Sequence, residues 1–373
     1  MELYEASGQY ELALRRKAEV AKLPLGGGME LLPLCNMSCN MCYIQQNTEE
    51  IRHSLLRKED WLAIAAKARD AGVLFILLTG GEPLLHPDFK EIYLAMQQMG
   101  FILTVNTNGT LIDEEWADFF AAHPCRRLNV TVYGAGNHTY QTLCHNPYGF
   151  DQVMRGLRLL KERQVNCRIN ITLTKENRQE LKQIVGIART LEMLFMPATY
   201  IFRSVSGLTE SRMSPYEAAE TRLEAVFLSN PEADRVQQAR LLLENVCGPL
   251  AIPSYQEGFS CTAGRSGYWI NWQGILTPCC MIDAPGVDLK TRSFTEGWQE
   301  IIQRVSRIET CRECKICRKK FFCQSCAAAS YVENGNFTKK PEYLCELTDA
   351  MIDILLTYLA EEERQHYKEI LGK

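Results

Sequence analysis

Three cysteines stand close together early in the chain: Cys35, Cys39 and Cys42, in the pattern C-x3-C-x2-C. Three thiolates in an eight-residue loop can wrap one face of a four-iron cubane, because cysteine thiolates are what hold iron–sulfur clusters. With three protein ligands, one iron stays open to a ligand from outside the protein. A zinc site would want a fourth ligand nearby, usually from a repeated C-x2-C pair, and the nearest histidine, His53, lies at no standard spacing. A second field of nine cysteines runs from Cys261 to Cys345 and contains Cys314-x2-Cys317-x5-Cys323-x2-Cys326. Taken alone, those paired cysteines would also suit a zinc module. Cys125, Cys144, Cys167 and Cys247 stand singly and read as small buried hydrophobes.

The elements that must position these thiols follow a strand-then-helix rhythm between residues 29 and 228. A short apolar run, 31–34, ends at the first cysteine group. Helical spacing over 58–71 stops at Gly72, and 73–78 is an unbroken apolar run, the mark of a strand covered on both faces. The alternation continues with helices at 88–99, 113–122, 150–163 and 180–191, and strands at 101–105, 128–132, 168–173 and 194–202. It ends in a helix over 215–228 with Ser214 as N-cap. Six βα units predict an α/β fold with a parallel sheet and helices outside it. Six are too few to close an eight-unit barrel, so an open or partial (β/α)6 barrel is expected. Before it, residues 1–28 should form a short helical segment (10–21) and a Gly26-Gly27-Gly28 hinge. After it come bridging helices over 229–260, then a cysteine-rich region, 261–373, closed by one long amphipathic helix over 343–371.

The cysteine spacing, its place after a first strand and the following Tyr43 resemble the radical S-adenosylmethionine (SAM) superfamily. Further matches fall where a barrel of this kind keeps its chemistry, on loops after the strands' C-terminal ends. Gly80-Gly81-Glu82-Pro83 after the second strand resembles the motif that binds the amino group of SAM. Asn106-Thr107-Asn108-Gly109 after the third resembles the ribose-contacting segment, and Thr131 ends the fourth. The resemblance implies that SAM chelates the open iron and that an electron from the cluster cleaves its sulfonium. The 5′-deoxyadenosyl radical so formed takes a hydrogen atom from the substrate.

Cys261, then Gly274 and Cys279, with the downstream cysteines, resemble the SPASM extension of this superfamily, which holds two auxiliary [4Fe–4S] clusters. Carried over, the distal cluster would use Cys314, Cys317, Cys323 and Cys345, and the proximal one Cys261, Cys279 and Cys326. The chain departs from the family in spacing Cys323 and Cys326 by two residues instead of three. The fourth proximal ligand is open among Cys280, Cys311 and a vacant iron, with Cys280 disfavoured because successive side chains tend to diverge. In sulfatase maturases of this family an aspartate base follows the second cysteine of the extension. Here Cys280 holds that position, although Asp283 is near. Members with the full extension commonly modify peptides or proteins; the alternative is a small molecule such as a tetrapyrrole or aminoglycoside. The short stretch before the first strand implies that any leader-peptide binding comes from a separate protein or from the barrel. A reducing partner such as flavodoxin or ferredoxin is also implied.

Composition excludes other classes. The 373 residues are 46% hydrophobic and 23% charged, with a net charge of −4, which fits a globular chain and argues against nucleic-acid binding. The longest apolar run, 73–78, falls far short of the roughly 20 residues of a membrane span. With no basic n-region or apolar h-region at the N-terminus, a cytoplasmic location is expected, and there dense cysteines mean metal or redox chemistry before disulfides.

Overall fold

The computed structural model describes residues 2–44, 46–202, 210–247, 258–320, 322–323 and 325–372. Its strand-then-helix rhythm folds as an α/β partial barrel. Strands β1 (Gly26–Glu30), β2 (Phe75–Thr79), β3 (Ile102–Thr107), β4 (Arg127–Val132), β5 (Cys167–Thr172) and β6 (Leu194–Ala198) run parallel, each beside the next in sequence order. Parallel neighbours need long crossovers, and here these carry helices. The crossover helices form because apolar residues recur on one face. Phe89–Gln98 buries Phe89, Ile92, Tyr93 and Met96, and Leu181–Thr190 buries Leu181, Ile184, Val185 and Ala188. Their ends are written locally. Asp113 accepts the Trp116 N–H, Ser214 and Glu217 cap each other, and Gly72 (φ +89°) follows Lys58–Asp70.

Three expectations are corrected. Gly26, Gly27 and Gly28 are the body of β1, not a hinge, and the first strand precedes the apolar run that was expected to form it. A Cβ on Gly27 would lie 2.6 Å from the Tyr268 ring, and one on Gly28 2.2 Å from the Trp269 ring. The glycines thus make room for aromatic neighbours, and that packing overrides their weak strand preference. The N-terminal helix is longer than expected, Glu2–Val20. The single C-terminal helix is two, Glu342–Thr357 and Glu361–Leu371. The break has no Gly or Pro; Glu361, Glu362 and Glu363 favour a new helix N-terminus. Arg364 holds the turn by donating to the Leu356 and Leu359 carbonyls.

The cysteine-rich region does not stand apart from the barrel. Its strand β7 (Gly267–Ile270) pairs in parallel with β1, and β8 (Ile275–Thr277) and β9 (Val287–Asp288) follow antiparallel. One nine-stranded sheet results, in the order β6-β5-β4-β3-β2-β1-β7-β8-β9. Helix Pro215–Ser229 packs against Glu342–Thr357. A buried ion pair also spans the two halves: Arg212 meets Glu333 at 2.7 Å, with the side chains 10% and 9% exposed. Tyr200 donates to the same carboxylate at 2.6 Å, and the Arg212 guanidinium sits 3.4 Å above the Tyr343 ring centroid.

Candidate functional site

The Cys35–Cys42 loop leaves the C-terminal end of β1 and is clasped from two sides. A helix leaves its last carbonyls without partners, and Asn137–Cys144 offers two of them here. The Ser38 and Asn40 amides donate to the Cys144 and Leu143 carbonyls at 3.1 and 2.9 Å. On the other side Asn108 Nδ2 donates to Asn36 Oδ1, and Asn36 Nδ2 to Thr110 Oγ1, each at 2.9 Å. Held this way, Cys35, Cys39 and Cys42 line a cavity of about 360 Å³ together with Gly80, Gly81, Asn106, Asn108 and Thr131.

Glu82, expected to face the amino group of SAM, is not part of that wall. It is fully buried. Its Oε1 accepts from Leu84 N–H (3.1 Å) and the Thr107 hydroxyl (2.8 Å), and its Oε2 from Asn108 N–H (2.7 Å). The carboxyl therefore bolts the loop after β2 to the loop after β3. Burial pushes its pKa up to about 7 against the pull of those donors. The two glycines serve the chain's own packing as well. A Cβ would lie 2.4 Å from the Leu32 carbonyl at Gly80 and 2.3 Å from the Leu34 carbonyl at Gly81. That proximity lets Gly81 and Glu82 N–H groups donate to those two carbonyls at 2.8 Å. Asn108 likewise spends its amide on the cysteine loop, reaching 3.6 Å from Cys35 Sγ.

Burial pushes the Cys35 thiol up to about 12, with the charge of Glu82 adding to it. The Cys39 thiol is raised by a hydrogen bond with Cys144 and then by burial. Left to themselves these thiols stay protonated, so a bound cation must displace protons. Among the described residues no three His, Cys, Asp or Glu side chains close on one point as a single ion would require. The three thiols instead ring a cavity wall, which suits a polynuclear group. Cys35, Cys261 and Cys279 share a further preparation for thiolate ligation. Each sulfur receives the backbone N–H two residues on, from Met37, Ala263 and Met281, at 3.4 Å. Hydrogen bonds to sulfur tune such clusters, and the donor set fits one.

The second cysteine field gathers in two places. Cys261, Cys279 and Cys326 lie within electrostatic reach of one another, and so do Cys314, Cys323 and Cys345, with Cys317 beside Cys345. Cys311 joins the latter group, buried and hydrogen-bonded to Cys314, so it sits apart from the proximal thiols. Cys279 and Cys280 hydrogen-bond to each other, which lowers the former and raises the latter. Successive side chains diverge in a strand, but this pair sits just past β8, where the alternation no longer holds. A second cavity, of about 470 Å³, adjoins the first across Tyr43 and Ile44 and is walled by Glu30, Trp269, Cys279, Cys280 and Asp283. Glu30 is raised to about 7 by burial.

Sequence reasoning missed Cys144 and Glu30. Nothing in the spacing of a lone cysteine shows that it meets Cys39, and Glu30 follows a glycine run misread as a hinge. Cys125 and Cys167 are buried apolar thiols, as expected. The side chain of Cys247 lies outside the described residues.

Residues 29–187 match the radical SAM superfamily. The AdoMet-dependent heme synthase of Methanosarcina barkeri is 23% identical over 329 residues, covering 84% of this chain and 94% of that protein. The sporulation killing factor maturation protein SkfB of Bacillus subtilis is 24% identical over 268 residues, 70% and 62% of the two chains. The structure of Streptococcus suis SuiB bound to S-adenosylmethionine superposes with a TM-score of 0.67 at 16% identity, covering 89% of this chain and 82% of that one; at that identity the likeness concerns the fold. The matched stretch begins in β1, takes in the cysteine loop and runs past β5, so residues 29–187 of this chain form a radical SAM domain.

Proposed function

We propose that this enzyme abstracts a hydrogen atom from a peptide or protein, in a post-translational crosslink, thioether, epimerisation or oxidation. The observation that carries the reading is the gathering of thiols in the C-terminal region, two of which, Cys279 and Cys280, line a cavity that adjoins the first. Cys35, Cys39 and Cys42 would hold the cluster that binds SAM, with Gly80, Gly81, Asn106 and Thr131 facing the cofactor. Cys261, Cys279 and Cys326, and separately Cys314, Cys317, Cys323 and Cys345, would hold two auxiliary [4Fe–4S] clusters in a SPASM-type extension. When bound, SAM and its cluster supply the 5′-deoxyadenosyl radical. The chain's own part is to seat both, to exclude water and to hold the substrate's C–H bond at the cavity. Support comes from SuiB, which has been solved bound to its precursor peptide SuiA, and from SkfB, named for maturation of a killing factor. A flavodoxin or ferredoxin would supply the electron.

A second reading, a small-molecule substrate, is favoured by the heme synthase relatives, which match 84–85% of the chain at 23–24% identity. Among the described residues no helix is long and apolar enough to cross a membrane. The test is anaerobic reconstitution with SAM and dithionite, followed by mass spectrometry of a peptide encoded beside the gene. Release of 5′-deoxyadenosine with a one- or two-hydrogen mass change in that peptide supports the first reading. Turnover with a tetrapyrrole, and none with the peptide, would establish the second.

A further inference from the structure

The concave face of the sheet carries cations without counter-ions. Strand residues two apart share a face, and on β5 the cavity is lined by Arg168, Asn170 and Thr172. Register places Arg168 beside Asn129 of β4, and Asn129 beside Asn106 of β3. Arg127 shares the face of Asn129, two residues earlier on β4. Arg168 is lowered by burial and by the like charge of Arg127. Both Nε–H groups are buried without a hydrogen-bond partner, and so are the Oδ1 atoms of Asn129 and Asn170. No carboxylate pairs with either guanidinium among the described residues. Two neighbouring guanidinium groups repel each other unless an anion lies between them, and a carboxylate matches their fork geometry in bidentate fashion.

We infer that Arg127 and Arg168 receive a carboxylate of the substrate, so that this enzyme acts on an acid. The inference deepens the proposed function and rests on its reading of the cavity as the reaction chamber. SAM carries a carboxylate too, but a cluster held by Cys35, Cys39 and Cys42 would draw that end of it to the cysteine loop, beyond the strands' C-terminal ends. Arg127 and Arg168 are the first and second residues of their strands. From Arg168 to the end of β5 is four residues, about 13 Å at the usual strand rise. Arg168, which lines the cavity, therefore marks its far end from the cysteines, with Arg127 close enough to act on its charge. A carboxylate anchored there would hold the rest of the substrate upright, toward the cysteine end.

The probes are glutarate and its neutral isostere glutaramide, titrated calorimetrically into the reconstituted, SAM-loaded protein. Glutarate should bind at least tenfold more tightly. Arg168→Met should erase that difference. Asn129→Asp, which sets a counter-ion beside Arg168 with little change of shape, should erase it too. The SAM affinity of both variants, measured on the same preparations, should stay within twofold of wild type. Equal binding of the two probes to wild type would overturn the proposal. So would a tenfold loss of SAM affinity in Arg168→Met with glutarate binding intact, which would assign the guanidinium to SAM. Failure of wild type to bind SAM at all would count against the radical SAM chamber itself, separately from the carboxylate site.

Discussion

Glu82 separates two roles that the same mutation tests. If its carboxyl were a contact for SAM alone, Glu82→Ala would weaken SAM binding and leave the protein's stability alone. The structure makes it a bolt between two loops, so stability must fall as well. Truncation strands the Leu84 and Asn108 N–H groups in a fully buried site. Each buried donor left unpaired costs about 1–3 kcal/mol, or about 2–6 kcal/mol together. The Thr107 hydroxyl can rotate and adds little. An unfolding entropy of about 2.1 cal/mol/K per residue over 373 residues makes 1 kcal/mol worth about 1.3 °C, so the variant should melt about 3–8 °C lower. Glu82→Gln keeps the shape and one acceptor oxygen, and should lose less than half as much. The assay is anaerobic calorimetry of reconstituted protein without SAM, with iron content measured on each sample. A melting temperature within 1 °C of wild type for Glu82→Ala, together with a tenfold loss of SAM affinity, would refute the bolt.

Other outcomes follow from the same structure. Reconstituted wild type should carry about twelve iron atoms, and replacing Cys35, Cys39 and Cys42 by Ala should remove about four and abolish SAM cleavage; saturation at about four iron with zinc making up the remainder would sink the auxiliary clusters. Glu333→Ala leaves Arg212 charged and buried and should cost about 3–5 kcal/mol in urea denaturation; a loss below 1 kcal/mol would mean that the pair does not tie the two halves together. Cys311→Ala should alter the spectrum of the distal cluster alone, because its thiol lies beside Cys314, and a changed proximal signal would contradict that placement. Cys280→Ala should perturb the proximal signal through its bond to Cys279, and an unchanged spectrum would return Cys280 to the role of a free thiol.

The barrel was legible because its signals are local. The apolar recurrence in Phe89–Gln98, the Asp113 and Ser214 caps and the C-x3-C-x2-C loop each lie within one short window of sequence. What escaped depends on contacts between distant segments. The glycine strand is intelligible only once Tyr268 and Trp269 are beside it, about 240 residues on. The bonds of Glu82 escaped for the same reason: a carboxylate after two glycines gives no local sign that Thr107 and Asn108 donate to it. Cys144 looked inert for want of a spacing rule, and the meeting of Cys279 with Cys280 went against a rule that holds only in strands.

The place of β1 bears on how such enzymes can be cut and recombined. Its two neighbours are β2 from the barrel and β7 from the cysteine-rich region, so no seam runs between the halves at the level of the backbone. A fragment ending before residue 261 would bare one side of β1, a flat row of unpaired N–H and C=O groups on three glycines, with no side chain to discourage a foreign strand. Such a fragment should associate with other chains rather than behave as a free-standing barrel. The C-terminal region is therefore not a cassette to be exchanged at a linker, and a chimera that keeps this barrel must keep a strand to lie where β7 lies.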